Sequence, residues 1–471
     1  MTAARPAETQ TPATSRAGRS SEELLLDAHT LRDLGIFAAE SGQASLFDFC
    51  NLTLTEGGAR VLQRRMERPW SSAPRIRATQ EAITFILEQR QAFTRLASAY
   101  TTARVERYAQ STVGIVHEES LPGFVLSVLG LWMDHDRNYF NIVNGVRFTC
   151  ELIRVLRQFI AALETTSPAG EIGPLLDEMR ALLASAKLSR VPGSGSGGGV
   201  WRTVALDQVF RLHEREAIAR LVELVHEIDA LAAMAEVTAR HDFVLPRIEA
   251  GPLRVQADGL VHPFVTDAVA NPVALDQNRR VLFLTGPNMA GKTTYLRAFA
   301  TAVYLAHLGM GVPARSFGFV PTQRLFSSIS LNDDIHTGVS YFRAEALRVK
   351  AIAEAIIEGC RVVAVLDEPF KGTNVKDAMD ASRAILERFK EQEECLFMFS
   401  SHLIELSEHL GSSDRIDCRY FEAQEAPGRL RFDYLLRAGV SSQRLGMRVL
   451  REEGIFDLLD GAAEEQEGPT L

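Results

Sequence analysis

A glycine, four further residues and then Gly-Lys-Thr-Thr make up GPNMAGKTT (Gly286, Pro287, Asn288, Met289, Ala290, Gly291, Lys292, Thr293, Thr294), a spacing suited to holding a phosphate chain. The two glycines let backbone N–H groups turn inward around an anion, and the positive end of a following helix adds to the attraction. Lys292 is then the mobile cation for the β- and γ-phosphates of ATP, and the Thr293 hydroxyl a ligand for Mg2+. Further on, RVVAVLDE (361–368) ends an apolar run in two acids. Asp367 is suited to hold Mg2+ through water, and Glu368 to act as general base on an attacking water. A pair of acids is common in unrelated chains; downstream of a phosphate loop, with Gly-Thr-Asn following at 372–374, it becomes specific. His402 closes the run CLFMFSSH (395–402), where an imidazole can sense the terminal phosphate. Ser340, in ISLNDDIHTGVSYFRAEA (329–346), is placed to begin a helix. It is either an ordinary N-cap serine or part of a helix start whose open N–H groups receive the γ-phosphate of a nucleotide held by a second subunit.

These residues need a parallel sheet to bring them together. After Pro246 short apolar runs (281–285, 361–368, 395–402) alternate with helical patterns (293–308, 375–390). Buried strands alternating with helices imply a parallel sheet covered on both faces. Residues 23 to 185 show long Ala-, Leu-, Glu- and Arg-rich stretches without strand-like alternation, punctuated by Pro69, Pro122 and Pro168; that pattern predicts helices. The run at 192–199 is a Gly/Ser-rich loop. Beyond it, Ile218, Leu221, Val222, Val225, Ile228, Ala232 and Ala235 form one apolar stripe, predicting a single helix from about 203 to 241, on the order of 55 Å long. The expected organisation is a disordered tail (1–22), a helical core and lever domain (23–247), an ATPase-like α/β domain (248–450) and an acidic C-terminal tail (451–471).

Composition narrows the class. The 471 residues carry a formal net charge of −9, so any nucleic-acid contact must come from a local patch rather than a global field. Five cysteines, Cys50, Cys150, Cys360, Cys395 and Cys418, lie far apart with no C-x-x-C pair, which fits buried single thiols in a reducing compartment. The N-terminus has no apolar core of a signal peptide, and the most apolar run, LPGFVLSVLGLWM (121–133), is too short to span a bilayer. A cytoplasmic protein with no membrane partner is expected.

Taken together, the motifs resemble the MutS family of DNA mismatch-repair ATPases. The phosphate loop TGPNMAGKTTYLR and its continuation LAHLGMGVPAR (305–315) are similar to that family's. So is the signature segment, an acidic pair, a glycine and Ser-x-Phe with Glu three residues on: Asp333, Asp334, Gly338, Ser340, Phe342 and Glu345. Asp367, Glu368, Gly372, Thr373 and His402 fit the family's later elements, while LLLDAHTLRDLGIF (24–37), SLFDFCNLTLTEGGARVLQRRMERP (45–69) and ADGLVHPFV (257–265) resemble the helical core and the entry to the ATPase. The resemblance implies an α/β P-loop ATPase, ABC-like with a mostly parallel sheet, preceded by an all-α core and lever domain. It also implies ATP and Mg2+, a homodimer sandwiching nucleotide with Ser340 acting on the neighbour's site, and DNA as the substrate on which the helical arms move. It departs from the family in three ways: core-like sequence begins by residue 24, where mismatch-reading and connector domains are expected in longer members; the clamp region near the Gly/Ser run is short; and Ala268 and Val269 stand where an adenine-stacking aromatic is usual. A second reading, an ATPase whose arms hold structured RNA such as ribosomal RNA or a protein client, fits those departures. An ABC transporter subunit does not fit, since no LSGGQ-type signature is present.

One stretch is locally basic. From Arg60 to Arg107 there are ten arginines against four glutamates, an excess of six positive charges. A solvated face is the plainer explanation, because arginine supplies 45 of the 51 basic residues throughout the chain, leaving six lysines. Arg64, Arg68 and Arg75 are the sharper candidates for phosphate contact: the first two share a helix face at i, i+4, and Arg75 follows the Pro69 turn. If they hold phosphates, changing all three to Ala weakens binding to every duplex sequence and lowers the salt slope by about 0.9 for each phosphate no longer neutralised. A gel-shift series in salt checks this, and an unchanged slope with unchanged affinity assigns the three to a solvated face.

Overall fold

The computed structural model describes residues 22–38, 44–94, 99–111, 137–192, 199–329, 341–403, 405–410, 413–426 and 429–441, with a few isolated positions besides. The apolar run at 121–133, Ser340, and most of the Gly/Ser run and of both tails lie outside the described residues.

Up to residue 240 the described chain is helical. It contains α1 (Ala28–Asp33), α2 (Leu46–Cys50), α3 (Glu56–Glu67), α4 (Ala73–Glu88), α5 (Arg90–Phe93), α6 (Ala99–Ala109), α7 (Arg137–Ala162), α8 (Ile172–Leu183), α9 (Gly199–Gln208) and α10 (Arg215–Arg240). The apolar stripe of α10 is buried through Ile218, Leu221, Val225 and Ile228, and α3, α4, α6 and α8 pack around it. A buried carboxylate fixes its register against α3: Asp229 accepts hydrogen bonds from the Leu54 and Thr55 N–H groups and from the Thr55 hydroxyl. That hydroxyl in turn caps α3 by accepting from Gly58 N–H at 2.9 Å. No helix among the described residues is long and apolar enough to cross a membrane. Cys50, Cys150 and Cys395 are buried as expected, whereas Cys360 and Cys418 are only partly covered, and all five are free.

Strands follow. A six-stranded sheet has the order β12-β9-β4-β8-β7-β6, built from β4 (Val281–Thr285), β6 (Arg324–Ser328), β7 (Val362–Asp367), β8 (Cys395–Ser400), β9 (Ile416–Tyr420) and the short β12 (Arg437–Ala438). All its pairings are parallel except β12 with β9. Helices cover both faces, and the alternation along each strand assigns them. Leu282, Leu284, Val363, Val365, Leu396 and Met398 join one core with α11 (Lys292–His307). Val281, Phe283, Val362, Ala364, Phe397 and Phe399 join another with α12 (Tyr341–Ile357) and α13 (Val375–Phe389). A further helix, α14 (Glu405–Leu410), follows β8. The sequence reading did not anticipate a second, four-stranded sheet in the order β1-β5-β2-β3, made from β1 (Arg247–Ile248), β2 (Val255–Leu260), β3 (Asn271–Leu275) and β5 (Ser316–Phe319). Nor did it anticipate the hairpin of β10 (Ala423–Ala426) with β11 (Arg429–Phe432).

The single helix expected from 203 to 241 is broken. After α9 the chain makes a π-helical turn at Val209–His213, and Glu214 (φ −119°, ψ 21°) leaves helical geometry before α10 begins. At 26 residues, α10 is about 39 Å long rather than 55 Å. The break coincides with a buried polar triad that periodicity does not reveal. Arg211 donates to both oxygens of Asp207 at 2.7 and 2.6 Å, the Tyr108 hydroxyl of α6 donates to the same carboxylate, and the guanidinium lies 5.4 Å from the Tyr108 ring centre. The Asp207 and Arg211 side chains are 2% and 3% exposed. Asp207→Ala removes the carboxylate that meets the buried guanidinium and the Tyr108 hydroxyl, and a loss of about 3–5 kcal/mol is expected, read as a lower urea midpoint by circular dichroism. A loss below about 1 kcal/mol would mean that other groups or water meet the Arg211 charge once Asp207 is gone.

Candidate functional site

The phosphate-loop spelling lies between the end of β4 and the start of α11, and its backbone has the shape that spelling suggests. Gly286 has φ +140° and Gly291 φ +99°, conformations that L residues rarely adopt. A Cβ at Gly286 would lie 2.7 Å from the Phe421 carbonyl oxygen, and one at Gly291 would lie 3.2 Å from the Tyr434 ring. Met289, also left-handed at φ 69°, presents its side chain to solvent, 77% exposed. Asn288 is exposed, Ala290 is buried, and Pro287 lies between these extremes. Lys292 is buried: its Nζ donates to the carbonyls of Gly286 at 2.8 Å and Pro287 at 3.2 Å and stands 3.6 Å from Glu368 Oε1. Thr293 and Thr294 are exposed on the first turn of α11.

Sheet order brings the acids to this loop. Because β8 lies between β4 and β7, Asp367 at the end of β7 is level with Ser400 at the end of β8, and Ser400 with Leu284 near the end of β4. Ser400 joins the two. Its hydroxyl bonds Asp367 Oδ1, and its carbonyl and hydroxyl oxygens accept the Glu368 N–H at 3.1 and 3.2 Å. The other Asp367 oxygen accepts from the Thr293 hydroxyl at 2.6 Å. A hydroxyl and a carboxylate thus converge as hard oxygen ligands of the kind Mg2+ takes. Among the described residues there is no group of three or more His, Cys, Asp or Glu that could hold a metal ion.

Glu368 faces two basic groups. His402 Nδ1 lies 3.7 Å from its Oε2, while Lys292 approaches Oε1. His402, ahead of Lys292, holds the Glu368 carboxyl below the usual range although burial works the other way. Reciprocally, Glu368 holds the His402 imidazolium to higher pH against its own partial burial. The chain after Glu368 is bent: Glu368 (φ 47°) and Phe370 (φ 70°) are both left-handed, a conformation costing about 1–3 kcal/mol at a non-glycine residue unless its surroundings hold it.

A cavity of about 760 Å³ opens over the loop, bounded by residues 287–289 and 291–294, by parts of the segment 260–271, and by Asp367, Glu368, Lys371, Phe421 and Tyr434. Ala268 and Val269 are on its wall, as is Tyr434, an aromatic that sequence reasoning missed. Asn271 fixes that wall: its buried carboxamide donates to the carbonyls of Val269 at 3.1 Å and Tyr434 at 2.9 Å and accepts from Leu436 N–H at 2.7 Å. The only sequence signal for Tyr434 is an aromatic in an otherwise unremarked stretch. His262, on the same wall, has its titration pushed down to about 4 by burial and then by Arg297.

The structure brings the phosphate loop, Asp367, Glu368 and His402 together. It places the three arginines elsewhere. Arg64 and Arg68 are exposed at the end of α3, whereas Arg75 lies 5.5 Å from the Trp70 ring centre and 3.4 Å from Glu22. Several neighbours in that basic stretch are in ion pairs: Arg60 with Glu106, Arg65 with Glu171 and Arg90 with Glu236.

The chain is similar in sequence to known proteins. Residues 29–245 match the model for MutS domain III and residues 282–466 the model for MutS domain V. The DNA mismatch repair protein MutS 2 of Halobacterium salinarum is 32% identical over 273 residues, 56% of this chain and 30% of the relative. The DNA mismatch repair protein MutS of Natronomonas pharaonis is 30% identical over 254 residues, 53% of this chain and 29% of the relative. That of Thermosipho melanesiensis is 29% identical over 252 residues, 53% and 30% respectively. The aligned stretch thus spans less than a third of each of these relatives.

The contact between His402 and Glu368 makes a prediction independent of any activity. Removing the imidazole takes away the principal influence lowering the Glu368 carboxyl, so in His402→Ala that carboxyl titrates at higher pH. Side-chain carbon-13 resonances of glutamate-labelled protein, with Glu368→Gln to identify the signal, measure it. A midpoint that stays put or moves down would show that His402 does not act on Glu368.

Proposed function

The chain belongs to the MutS family, and from that premise we propose that it is an α/β P-loop ATPase that uses ATP binding and hydrolysis to act on DNA. The observation that carries this reading is the convergence of Lys292, Thr293, Asp367 and Glu368 on one rim of a 760 Å³ cavity, a volume within the range of small-molecule sites. Lys292 is held by two neutral carbonyls of its own loop; phosphate oxygens offer it stronger, charge-assisted partners. Gly286 to Thr294 form the cradle, and the first turn of α11 directs its N–H groups at the anion. Thr293 and Asp367 hold Mg2+, which when bound neutralises charge on the phosphate oxygens. Glu368, kept ionised at neutral pH by His402 and Lys292, accepts the proton of the attacking water. Tyr434, with Ala268 and Val269, forms the part-aromatic wall against which the base rests.

The relatives named above are DNA mismatch repair proteins, and DNA is the partner proposed for this chain. In the same reading two copies pair across their nucleotide sites, with Ser340 of one acting on the γ-phosphate held by the other and the helical part relaying turnover to the nucleic acid. Arg64 and Arg68 remain candidates for phosphate contact because they are exposed and, among the described residues, in no ion pair.

Binding and turnover then separate by residue. Lys292→Ala abolishes tight ATP binding, whereas Glu368→Gln keeps it and loses hydrolysis by at least about tenfold. A fluorescent ATP analogue and a phosphate-release assay read the two. Mixing Lys292→Ala with Ser340→Arg subunits restores part of the rate that neither variant has alone, because one composite site is rebuilt from intact halves. Hydrolysis at the unchanged rate by Glu368→Gln would remove Glu368 as the base, and full activity of Ser340→Arg alone would return Ser340 to a helix cap.

A further inference from the structure

Glu345 is a carboxylate buried inside the protein, 2% exposed, on the second turn of α12. Backbone N–H groups and the Lys371 charge face it. It accepts the Gly372 N–H at 3.4 Å, and the N–H groups of Phe370 and Lys371 also stabilise its charge. Burial pushes its carboxyl up, and these three successive N–H groups oppose that effect. An acid is costly to bury unless its charge is met by hydrogen bonds, so its presence here follows from the turn it holds.

That turn is the bent stretch that begins at Glu368. Two left-handed non-glycine residues, Glu368 and Phe370, lie within three positions of each other. Such backbone persists only where its surroundings over-determine it. The same helix supplies a second hold: Phe342, one turn before Glu345, places its ring 5.9 Å from that of Phe370. Residues 368 and 371 of the turn both line the cavity. A carboxylate and a ring from α12 therefore hold the backbone that carries Glu368, though neither is among the residues lining the cavity.

We propose that Glu345 is a positioning residue, whose carboxylate ties down the N–H groups of residues 370–372 and so keeps Glu368 directed at Lys292 and the cavity. The inference rests on reading the cavity as an ATP site. It predicts that Glu345 acts on turnover through Glu368 and not on nucleotide binding, which in that reading depends on the loop from Gly286 to Thr294. Glu345→Gln is the informative partner of Glu345→Ala, because it keeps the shape and one acceptor oxygen but turns an NH2 group toward backbone donors.

The test is a comparison of ATP affinity, by a fluorescent analogue, with single-turnover hydrolysis in the unchanged chain, Glu345→Ala, Glu345→Gln, and Glu345→Ala combined with Glu368→Gln. Expected are affinities within about threefold of one another, a rate at least about tenfold lower for Glu345→Ala, an intermediate rate for Glu345→Gln, and no further loss in the double variant beyond Glu368→Gln alone. Rates within about twofold of the unchanged chain would overturn the proposal, as would affinity and rate falling together, the mark of a purely structural role. Losses that simply multiply in the double variant would also overturn it, since the two residues would then act independently. Should Glu345→Ala not fold, Glu345→Gln, alone and combined with Glu368→Gln, is read by the same criteria. Failure of the unchanged chain to bind ATP at all is a different result: it overturns the ATP reading of the cavity, on which this proposal stands.

Discussion

The site depends on the register of three parallel strands. With β8 held between β4 and β7, the phosphate loop, Ser400 and the two acids all leave the sheet at one edge and at one level. Side chains alternate along a strand, so a slip of one residue would turn Asp367 to the opposite face and break its bonds to Thr293 and Ser400. The register is secured by apolar packing on both faces, where neighbouring residues of each strand enter different cores. A polar constellation at the rim is thus fixed by hydrophobic burial beneath it, and Ser400 converts that burial into hydrogen bonds to Asp367 and to the Glu368 backbone.

The two helices on either side of the site are anchored in the helical part of the molecule. α11, which begins with Lys292, is buried along almost its whole length. Near its far end the Tyr304 hydroxyl donates to the Met66 carbonyl of α3 at 2.6 Å, and the His307 carbonyl accepts the Trp70 N–H at 2.9 Å. α12 is tied by Arg348, which donates to the Thr30 hydroxyl at 2.6 Å and the Ser327 carbonyl at 2.7 Å and pairs with Asp27, holding that carboxyl low against the effect of burial. Asp33 completes the junction by accepting from the Ser327 hydroxyl and the Ile329 N–H. α1 is thereby docked on the edge strand β6 that leads toward the signature segment.

Charge is arranged in the same economical way. Lys292, Glu368 and His402 form a row in which the central carboxylate is flanked by two basic groups, and this arrangement holds the carboxyl low in a partly buried place. The triad of Tyr108, Asp207 and Arg211 and the buried Glu345 solve the same problem for structural ends, by meeting each buried charge with directed donors or acceptors.

Much of the site was legible because its information is local. The Gly-x-x-x-x-Gly-Lys-Thr spelling, the apolar run that ends at Thr285, the runs ending in Asp367 and Ser400, and the helices beginning at Lys292 and Val375 each lie within a short stretch of chain, where residue type and spacing dictate backbone and burial. Distant pairings were not legible. The four-stranded sheet is made of strands of two to six residues whose partners lie up to about 70 positions away. Tyr434 becomes part of the cavity wall because Asn271, 163 residues earlier, holds its carbonyl. The helix expected through residue 209 breaks at a buried triad that Tyr108 completes from α6, 99 residues before Asp207. Glu345 reads in sequence only as the last member of the signature-like segment, and the approach of the turn at 370–372 is what brings a backbone N–H to its charge. The sequence by itself determined which residues could hold a phosphate and on which kinds of element they sit, because backbone conformation and amphipathic period are local properties. Tertiary structure alone decided which of them meet and what walls them in, because those contacts come from burying apolar faces contributed by distant parts of the chain.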